Sequence, residues 1–235
     1  MPHEHEDPRT VRSRALILDA AAAVFLERGF VDATVDQVAE TAGVAKRTIY
    51  NIYGDKDELF RATILRSIAT ADRFSASLAV EVAAIAEARD LAQALSQIAV
   101  RLAESVLIGP VLPLRRLLAS ESRRFPELAA EYRDHAPEAV MRALARLFGD
   151  LAERGLLRAA SPRLTAEHFA FLIMGADLDR GMFDPAPPTR RRVRASARAG
   201  AEAFQRAYAL GTCPEPDPTA PESGRPRTGS RAHPG

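Results

Sequence analysis

The sequence predicts an all-α protein, and three observations lead to that prediction. Alanine, which favours helices, is abundant, whereas Trp is absent and aromatic residues make up only 6% of the chain. No segment shows the alternation of Val, Ile or Thr between tight turns that is typical of strands. Apolar residues instead recur at helical spacing in about nine segments. With 235 residues, 47% of them hydrophobic, the chain is long enough to bury a substantial core.

Composition also limits the environment and the partners of the protein. The formal net charge is +1, so affinity for nucleic acid would have to come from a local basic patch. The one cysteine, Cys213, cannot form a disulfide within the chain, which suits a reducing compartment. The N-terminus is polar and unlike a secretory signal, and no apolar run approaches the ~18 residues that would span a membrane. We therefore expect a cytoplasmic protein that does not bind membranes.

The chain divides into four segments by composition. Residues 1–10 are polar, and residues 212–235 are rich in Pro, Gly and Ser, so both ends are predicted to be disordered. Residues 11–60 hold three short helical patterns, which we expect to form a compact head around a central motif at about residues 34–53. Residues 61–211 hold the other patterns and are expected to form a larger helical domain.

The helices of the head carry start and stop signals. Gly29 suits the left-handed position after a helix, where Phe30 can fold back onto the core. Thr34 and Gln37 form a capping box for the second helix, and Asp55 with Glu58 forms a variant of it for the fourth. The expected helices are about Val11–Arg28, a second from Thr34, a third from near Ala45, and a fourth from Asp55 to about Ser77.

Five further helices follow from apolar stripes that glycine and proline interrupt. The eighth helix is apolar over more than one face, and its Gly175-Ala176 pair would let another helix approach closely. The ninth has a narrow, alanine-rich stripe. The expected helices are about Asp90–Leu107, Leu114–Arg124, a long one ending near residues 153–157, Thr165–Arg180 and Arg190–Leu210.

The second and third helices are spaced as in a helix-turn-helix unit. If Val35 is position one of the motif, Ala39 is position five, where a small residue lets the paired helix cross. Gly43 is position nine, in a turn that requires a positive φ angle. Ile49 is position fifteen and is expected to fill the core between the two helices.

Burial of that face leaves a polar surface on the third helix. Its cations, hydroxyls and amide are the groups that contact phosphate oxygens and base edges in a major groove. The chain has only two lysines, Lys46 and Lys56, and both flank this helix. The alternative is an ordinary helical protein whose charged face is merely solvated. The residues on the exposed surface are Lys46, Arg47, Thr48, Tyr50 and Asn51.

Residues 12–60 resemble the DNA-binding head of the TetR family of bacterial transcriptional regulators. The matching segments are ERGF at the end of the first helix and ATVDQVAETAGVAKRTIYNIYGDKDELF after it. The resemblance implies a three-helix head, a fourth connecting helix, and an all-helical domain for ligand binding and dimerisation. A weaker resemblance links RRFPELAAEYRDHAPEAV to the C-terminal domain of one TetR subgroup.

The resemblance also implies roles for single residues. Thr34 would contact phosphate, Thr48 and Tyr50 would contact phosphate or bases, and Lys56 would anchor the DNA backbone. Lys46, Arg47 and Asn51 would face bases. Two residues depart from the family pattern. Ala45 replaces the usual capping Ser and removes a cap worth ~1 kcal/mol, and Ile52 replaces a His or Tyr and is expected to pack inward.

The larger domain is expected to hold the dimer interface and an effector pocket. Two helices from each subunit, the eighth and the ninth, would form a four-helix bundle across a two-fold axis, and the alternative is that both are core helices of a monomer. An apolar pocket would suit a small hydrophobic effector, although the same residues could simply be core. The candidate pocket residues are Phe125, Met141, Phe148, His168 and Phe171.

No enzyme is predicted. The histidines lack suitable partners, and the sequence has no phosphate-binding glycine loop, nucleophile elbow or Cys/His cluster, so no catalytic residue, cofactor or metal site is expected. We expect a homodimeric repressor that binds a pseudo-palindromic operator in double-stranded DNA and that an effector releases. Two alternatives remain: a DNA-binding organiser or activator of the same fold without a ligand, and a helical ligand-binding protein that does not bind DNA.

Overall fold

The computed structural model describes residues 8–209, except residues 86–89, 185 and 187. Over this part of the chain the protein is built from α-helices, and the only β contact is an isolated bridge between Leu157 and Ala209. The prediction of an all-α fold is confirmed. The predicted terminal segments, residues 1–10 and 212–235, lie almost entirely outside the described residues.

The first four helices agree with the sequence signals at their starts. Gly29 interrupts the first helix with φ 75° and ψ 175°, and the chain then resumes a helical turn. Asp55 Oδ1 accepts a hydrogen bond from Glu58 N at 2.8 Å, as the variant capping box predicts. The fourth helix is longer than expected and continues past Ser77. The helices are α1 (Pro8–Asp32), α2 (Val35–Ala42), α3 (Lys46–Tyr53) and α4 (Lys56–Ile85).

Six further helices form the rest of the described chain, one more than the sequence patterns indicate. The long seventh helix is divided because Ala136, which precedes Pro137, leaves helical geometry with φ −96° and ψ −80°. A proline disfavours the helical conformation in the residue before it. The helices are α5 (Leu91–Leu107), α6 (Val111–Ser120), α7 (Pro126–His135), α8 (Pro137–Glu153), α9 (Pro162–Phe183) and α10 (Arg190–Tyr208).

Four phenylalanines hold the head against α6 and α7. Phe30, from the turn after Gly29, lies 4.9 Å from Phe60 and 5.1 Å from Phe125 between ring centroids, both in edge-on geometry. Phe25 meets Phe60 at 5.2 Å. Leucines of α6 and α7 belong to the same core. The predicted domain boundary after residue 60 therefore falls inside α4, on a shared core, and it stays a prediction.

A second core lies within the larger domain. Phe148, Phe169 and Phe204 are fully buried, and the centroids of their rings lie 5.0–5.4 Å apart. They join α8, α9 and α10, and α5 packs against both α9 and α10 in the same core. Gly200 of α10 lies so close to α9 that an added Cβ would be 2.3 Å from Leu172 O. At Gly175 the nearest atom would belong to the side chain of Phe171, on the same helix, so α10 approaches α9 at Gly200 instead.

Within the described residues, no single helix is long and apolar enough to cross a bilayer. The bent pair α5 and α6, at an angle of 49° to each other, reaches that length and composition only when the two helices are taken together.

Candidate nucleic-acid interface and internal cavity

Local hydrogen bonds set the geometry of the helix-turn-helix. Thr34 Oγ1 accepts from Gln37 N at 3.3 Å, and Gln37 Oε1 accepts from Thr34 N at 2.9 Å, so the capping box is complete. Gly43 adopts φ 67° and ψ 32°, the left-handed conformation that the turn requires. Ala45 provides no side-chain cap for α3, as its residue type implies. The two helices are therefore held at a fixed angle before any partner binds.

The interior of the motif contains the small and apolar residues expected there. Ala39 is 6% exposed and Ile49 is 1% exposed, and both belong to the core that the head shares with α6 and α7. Ile52 is half-buried and packs against that core, in agreement with the inward packing predicted for it. The opposite face of α3 is consequently the one that solvent, or a partner, can reach.

The outer face of α3 carries polar groups that differ in their existing partners. Lys46 Nζ donates to Asp36 Oδ2 at 2.8 Å, and this hydrogen bond raises the pKa of Lys46. Arg47 is exposed and makes no hydrogen bond or ion pair within the described chain. Tyr50 and Asn51 are also exposed, whereas Thr48 is half-buried. Arg47 is thus the cation of this helix that needs no broken contact to bind a phosphate or a base.

Lys56 has a structural role that the sequence does not indicate. Its Nζ donates to Ala33 O at 2.8 Å and to Val31 O at 3.1 Å, and it lies 4.6 Å from the centroid of the Phe30 ring. The ammonium group therefore joins the start of α4 to the end of α1 and to the loop that follows it. Since an ammonium group has three N–H donors, one remains for a phosphate.

An internal cavity of about 270 Å³ lies in the larger domain, among α5, α6, α7, α8 and α9, with Ser67 of α4 at its edge. Its lining is mostly apolar. The exceptions among the described residues are Ser67, Ser105, Arg115 and Tyr132. The apolar part of the lining includes Leu102, Val106, Leu114, Val140, Met141, Met174 and Leu178.

Of the five candidate pocket residues, the structure places only Met141 in the cavity lining. Phe125 belongs to the aromatic core of the head, and Phe148 is fully buried in the second core. His168 and Phe171 lie on the outer surface of α9. The reason is general, because an apolar stripe predicts which side chains are buried but not which of them border a void. Arg115 and Tyr132, which do border it, lie outside the apolar pattern and gave no signal.

The outer surface of α9 is unusually apolar. Phe171 is 71% exposed, and Leu164 and Leu172 are each nearly half exposed. His168 Nδ1 and the Tyr208 hydroxyl form a short hydrogen bond that joins this surface to α10. An open groove on the same side is lined by these two residues, by Phe171 and Leu172, and by Arg158 and Ala207. Exposed apolar surface of this kind marks an interaction site.

Comparisons with known proteins support both halves of this arrangement. A family model described as bacterial regulatory proteins, tetR family, matches residues 17–63. A second model, described as the C-terminal domain of AefR-like transcriptional repressors, matches residues 93–210. The transcriptional repressor AcnR of Corynebacterium efficiens is 30% identical over 162 residues, which cover 66% of this chain and 73% of AcnR.

Other relatives match the head or the fold. The transcriptional activator FasR of Mycolicibacterium smegmatis is 39% identical over 61 residues, but the match covers only 26% of this chain and 27% of FasR. A crystal structure of a TetR-family transcriptional regulator from Mesorhizobium loti is 26% identical, with a TM-score of 0.76. That similarity covers 87% of this chain and 100% of the other.

Proposed function

Because this chain belongs to the TetR family of bacterial transcriptional regulators, we propose that it is a homodimeric repressor that a small apolar effector releases from its operator. It would act in the cytoplasm, on double-stranded DNA. One observation carries the proposal: a preformed helix-turn-helix with an exposed polar face and a separate apolar cavity share one continuous helix, α4. DNA binding and effector binding would then occur at two distinct sites on one chain.

The DNA contacts would come from α3 and the residues around it. Arg47 and Asn51 are exposed side chains of the kind that bind base edges, and Lys46 can join them if its bond to Asp36 opens. Thr34, Thr48, Tyr50 and Lys56 would contact the phosphate backbone or neighbouring bases. Phosphate contacts would fix the register of the head, while α3 would carry the sequence preference.

The dimer would form through the apolar surface of α9 together with α10. Phe171 is so exposed that burial against a second copy is the simplest account of it. A two-fold axis through two helices of each subunit gives an isologous four-helix bundle. Two heads would then point toward the same side, and their recognition helices would reach successive major grooves about 34–36 Å apart.

Contacts between the cavity and the head offer a route for release. Leu114 of α6 lines the cavity and also belongs to the core of the head. Arg124, just after α6, pairs with Asp57 of α4 at 3.0 Å and lies 4.7 Å from the Phe30 ring. An effector that moves α6 would therefore shift α4 and change the separation of the two heads.

An organiser or activator of the same fold is the second candidate function, and the activator FasR among the relatives keeps it open. The cavity favours a ligand-responsive protein over an organiser without a ligand. The geometry of the motif equally favours a DNA-binding protein over a ligand-binding protein that has lost this activity, since the motif retains its capping box and its left-handed glycine.

The experiment that tests the proposal is a selection of random DNA duplexes by the purified protein. We expect an enriched pseudo-palindrome with two half-sites, and binding that weakens steeply with salt. The Arg47→Ala variant should lose preference at particular base pairs, at ~1–3 kcal/mol each, while retaining the half-site spacing. No enrichment of any sequence would contradict the proposal, and enrichment of a single half-site would contradict the dimer.

The interface can be tested separately by light scattering. Phe171→Glu introduces a charge into the proposed dimer surface, so we expect a monomer that binds DNA far more weakly than the parent. Leu16→Glu is the matched control, because Leu16 is a comparably apolar, 47% exposed residue on α1 of the head. It should remain dimeric. A dimeric Phe171→Glu protein would exclude this surface as the interface.

A further inference from the structure

We propose that the effector is a small monoanion of about ten non-hydrogen atoms, with its apolar body in the cavity and its carboxylate held by Arg115 and Tyr132. This inference rests on the proposed function, which places an effector in this cavity, and it adds the chemical class of that effector. Three properties of the cavity support it: the charge of the lining, the unused hydrogen-bond donors of the lining, and the volume of the cavity.

The charge of the lining has one sign. Arg115 is the only charged side chain among the described residues that line the cavity, and none of them is acidic. Arg115 is half-buried, so its stem covers apolar surface and its guanidinium gives the lining a positive charge. Arg115 makes no ion pair or hydrogen bond with any part of the chain that the structure describes. A ligand that carries a carboxylate would supply the missing partner.

The hydrogen-bond donors of the lining point to the same pair of residues. Ser67 Oγ donates to Thr63 O at 3.1 Å, and Ser105 Oγ donates to Leu102 O at 2.8 Å, so both serine hydroxyls are used within their own helices. The Tyr132 hydroxyl, by contrast, has no partner among the described residues. The free donors of the lining are therefore Arg115 and Tyr132, and a guanidinium with a phenol suits the two oxygens of a carboxylate.

Tyr132 is suited to donate rather than to carry a charge itself. Burial raises the pKa of Tyr132, and the nearby Arg115 guanidinium opposes that shift only in part. The phenol thus stays protonated and keeps its O–H for a ligand oxygen. Pro110 and Val111, at the start of α6, also line the cavity, so the positive end of the α6 dipole adds to the preference for an anion.

The volume limits the size of the ligand. An engineered cavity of about 150 Å³ in another protein holds benzene, so a cavity of about 270 Å³ holds a molecule of roughly ten non-hydrogen atoms. Six side chains provide apolar contacts for such a body: Leu102, Val106, Leu114, Val140, Met141 and Met174. A medium-chain fatty acid or a small aromatic acid has this size and this polarity.

A matched series of probes tests the inference by calorimetric titration of the full chain. Octanoate, 1-octanol and octylamine share one apolar chain and differ in their head group. We expect octanoate to bind at least tenfold more tightly than 1-octanol, and octylamine to bind most weakly. Arg115→Gln should reduce octanoate affinity to that of 1-octanol and leave 1-octanol unchanged, while Arg115→Lys should retain part of the preference.

Arg123→Gln is the control, because Arg123 is exposed just beyond α6, does not line the cavity and carries the same charge. It should bind octanoate as the parent does. Thermal melts of each variant would show that it is folded, and the parent chain alone already decides the question of head-group preference. Equal affinity for octanoate and 1-octanol, or no binding of any carboxylate from hexanoate to decanoate, would overturn the inference.

A DNA-release assay separates this inference from the proposed function. If octanoate binds through Arg115 but does not lower DNA affinity, the ligand class stands and release by an effector fails. If octanoate binds and releases DNA, both stand, and the coupling must be reciprocal, so operator DNA must weaken octanoate binding by the same factor.

Discussion

The helix-turn-helix motif and the larger domain differ in the sequence range of the hydrogen bonds that shape them. Around the motif, hydrogen bonds join Thr34 to Gln37 and Asp55 to Glu58, each three positions apart. Another joins Lys46 to Asp36, ten positions earlier. In the larger domain, local caps are accompanied by hydrogen bonds between distant segments. Arg116 donates to Gly181 O across 65 positions, Arg194 pairs with Glu104 across 90, and Gln205 donates to Ala92 O across 113.

The motif and the larger domain obtain their geometry from different kinds of contact. The motif in the head is shaped by caps and a turn, which short stretches of sequence encode. The larger domain obtains its shape from the packing of helices that are far apart in sequence, and its long-range polar bonds join helix ends and surfaces. The buried Asp177 adds a shorter-range link between two adjacent helices, because its Oδ1 accepts hydrogen bonds from Arg180 of α9 and Arg192 of α10.

The largest effect is expected at the ring that connects the two regions. Phe30→Ala removes a fully buried side chain that contacts Phe25, Phe60 and Phe125. The loss of burial and the cavity left behind should destabilise the protein by ~3–5 kcal/mol, as measured by denaturant unfolding. Val31→Ala is the control, because Val31 is 73% exposed, and it should change stability by less than ~0.5 kcal/mol. Similar losses for both variants would show that the two regions do not share a core.

Much of the head could be predicted from the sequence because its determinants are local. The capping box at Thr34, the left-handed Gly43 and the inward Ile49 all follow from residue type and spacing. The sequence could not predict which hydrogen bonds the polar side chains make within the chain. The bonds from Lys56 to Val31 O and Ala33 O depend on how α1 turns after Gly29, which residue types do not specify.

The cavity could not be predicted for a related reason. Periodicity identifies buried positions, so Phe125 and Phe148 are buried as expected, but whether a buried side chain borders a void depends on how several helices cross. Arg115 lies on α6, and a charged residue among the leucines of that helix is not marked as a cavity residue by an apolar pattern. Likewise, the Gly175-Ala176 pair predicts that another helix approaches α9 at that pair. The close approach of α10 to α9 is instead at Gly200.

The second prediction tests this close approach in the larger domain. Gly200→Ala would place a methyl group against the backbone of Leu172 and Ile173, so α9 and α10 must separate. We expect a loss of ~1–3 kcal/mol in the free energy of unfolding. Gly175→Ala is the matched control. Its new Cβ meets only the exposed Phe171 side chain, and alanine has a higher helix propensity than glycine. If Gly175→Ala were the more damaging of the two, the close contact would lie elsewhere.

The third prediction returns to the head and to the two roles of Lys56. Lys56→Ala removes two bonds to carbonyl groups and the contact with Phe30, so we expect a stability loss of about 1–2 kcal/mol. At a temperature where the variant is folded, DNA binding should weaken for all sequences, and its salt slope should fall by roughly one unit. Lys56→Gln, which keeps donors for the carbonyls, should recover stability but not the slope. A changed sequence preference with an unchanged slope would rule out a phosphate contact.

The smallest effect is expected where the head restrains one of its own DNA-facing cations. Asp36→Asn removes the carboxylate that binds Lys46, so Lys46 becomes free to reach DNA and one negative charge leaves the binding face. Because the ion pair is exposed, the melting temperature should change little. DNA affinity should rise modestly, and its salt dependence should steepen by about one unit as one more cation displaces counterions.

A charge-matched control separates the two causes of that change. Glu40→Gln removes the same charge from an exposed position on α2, but Glu40 has no bond to Lys46. If release of Lys46 is the cause, Asp36→Asn should steepen the salt dependence more than Glu40→Gln does, and the excess should disappear when Lys46→Ala is added. Equal slopes for the two single variants would mean that only the net charge of the face matters. The head would then resemble the larger domain, in that its polar bonds would hold the fold rather than regulate a binding group.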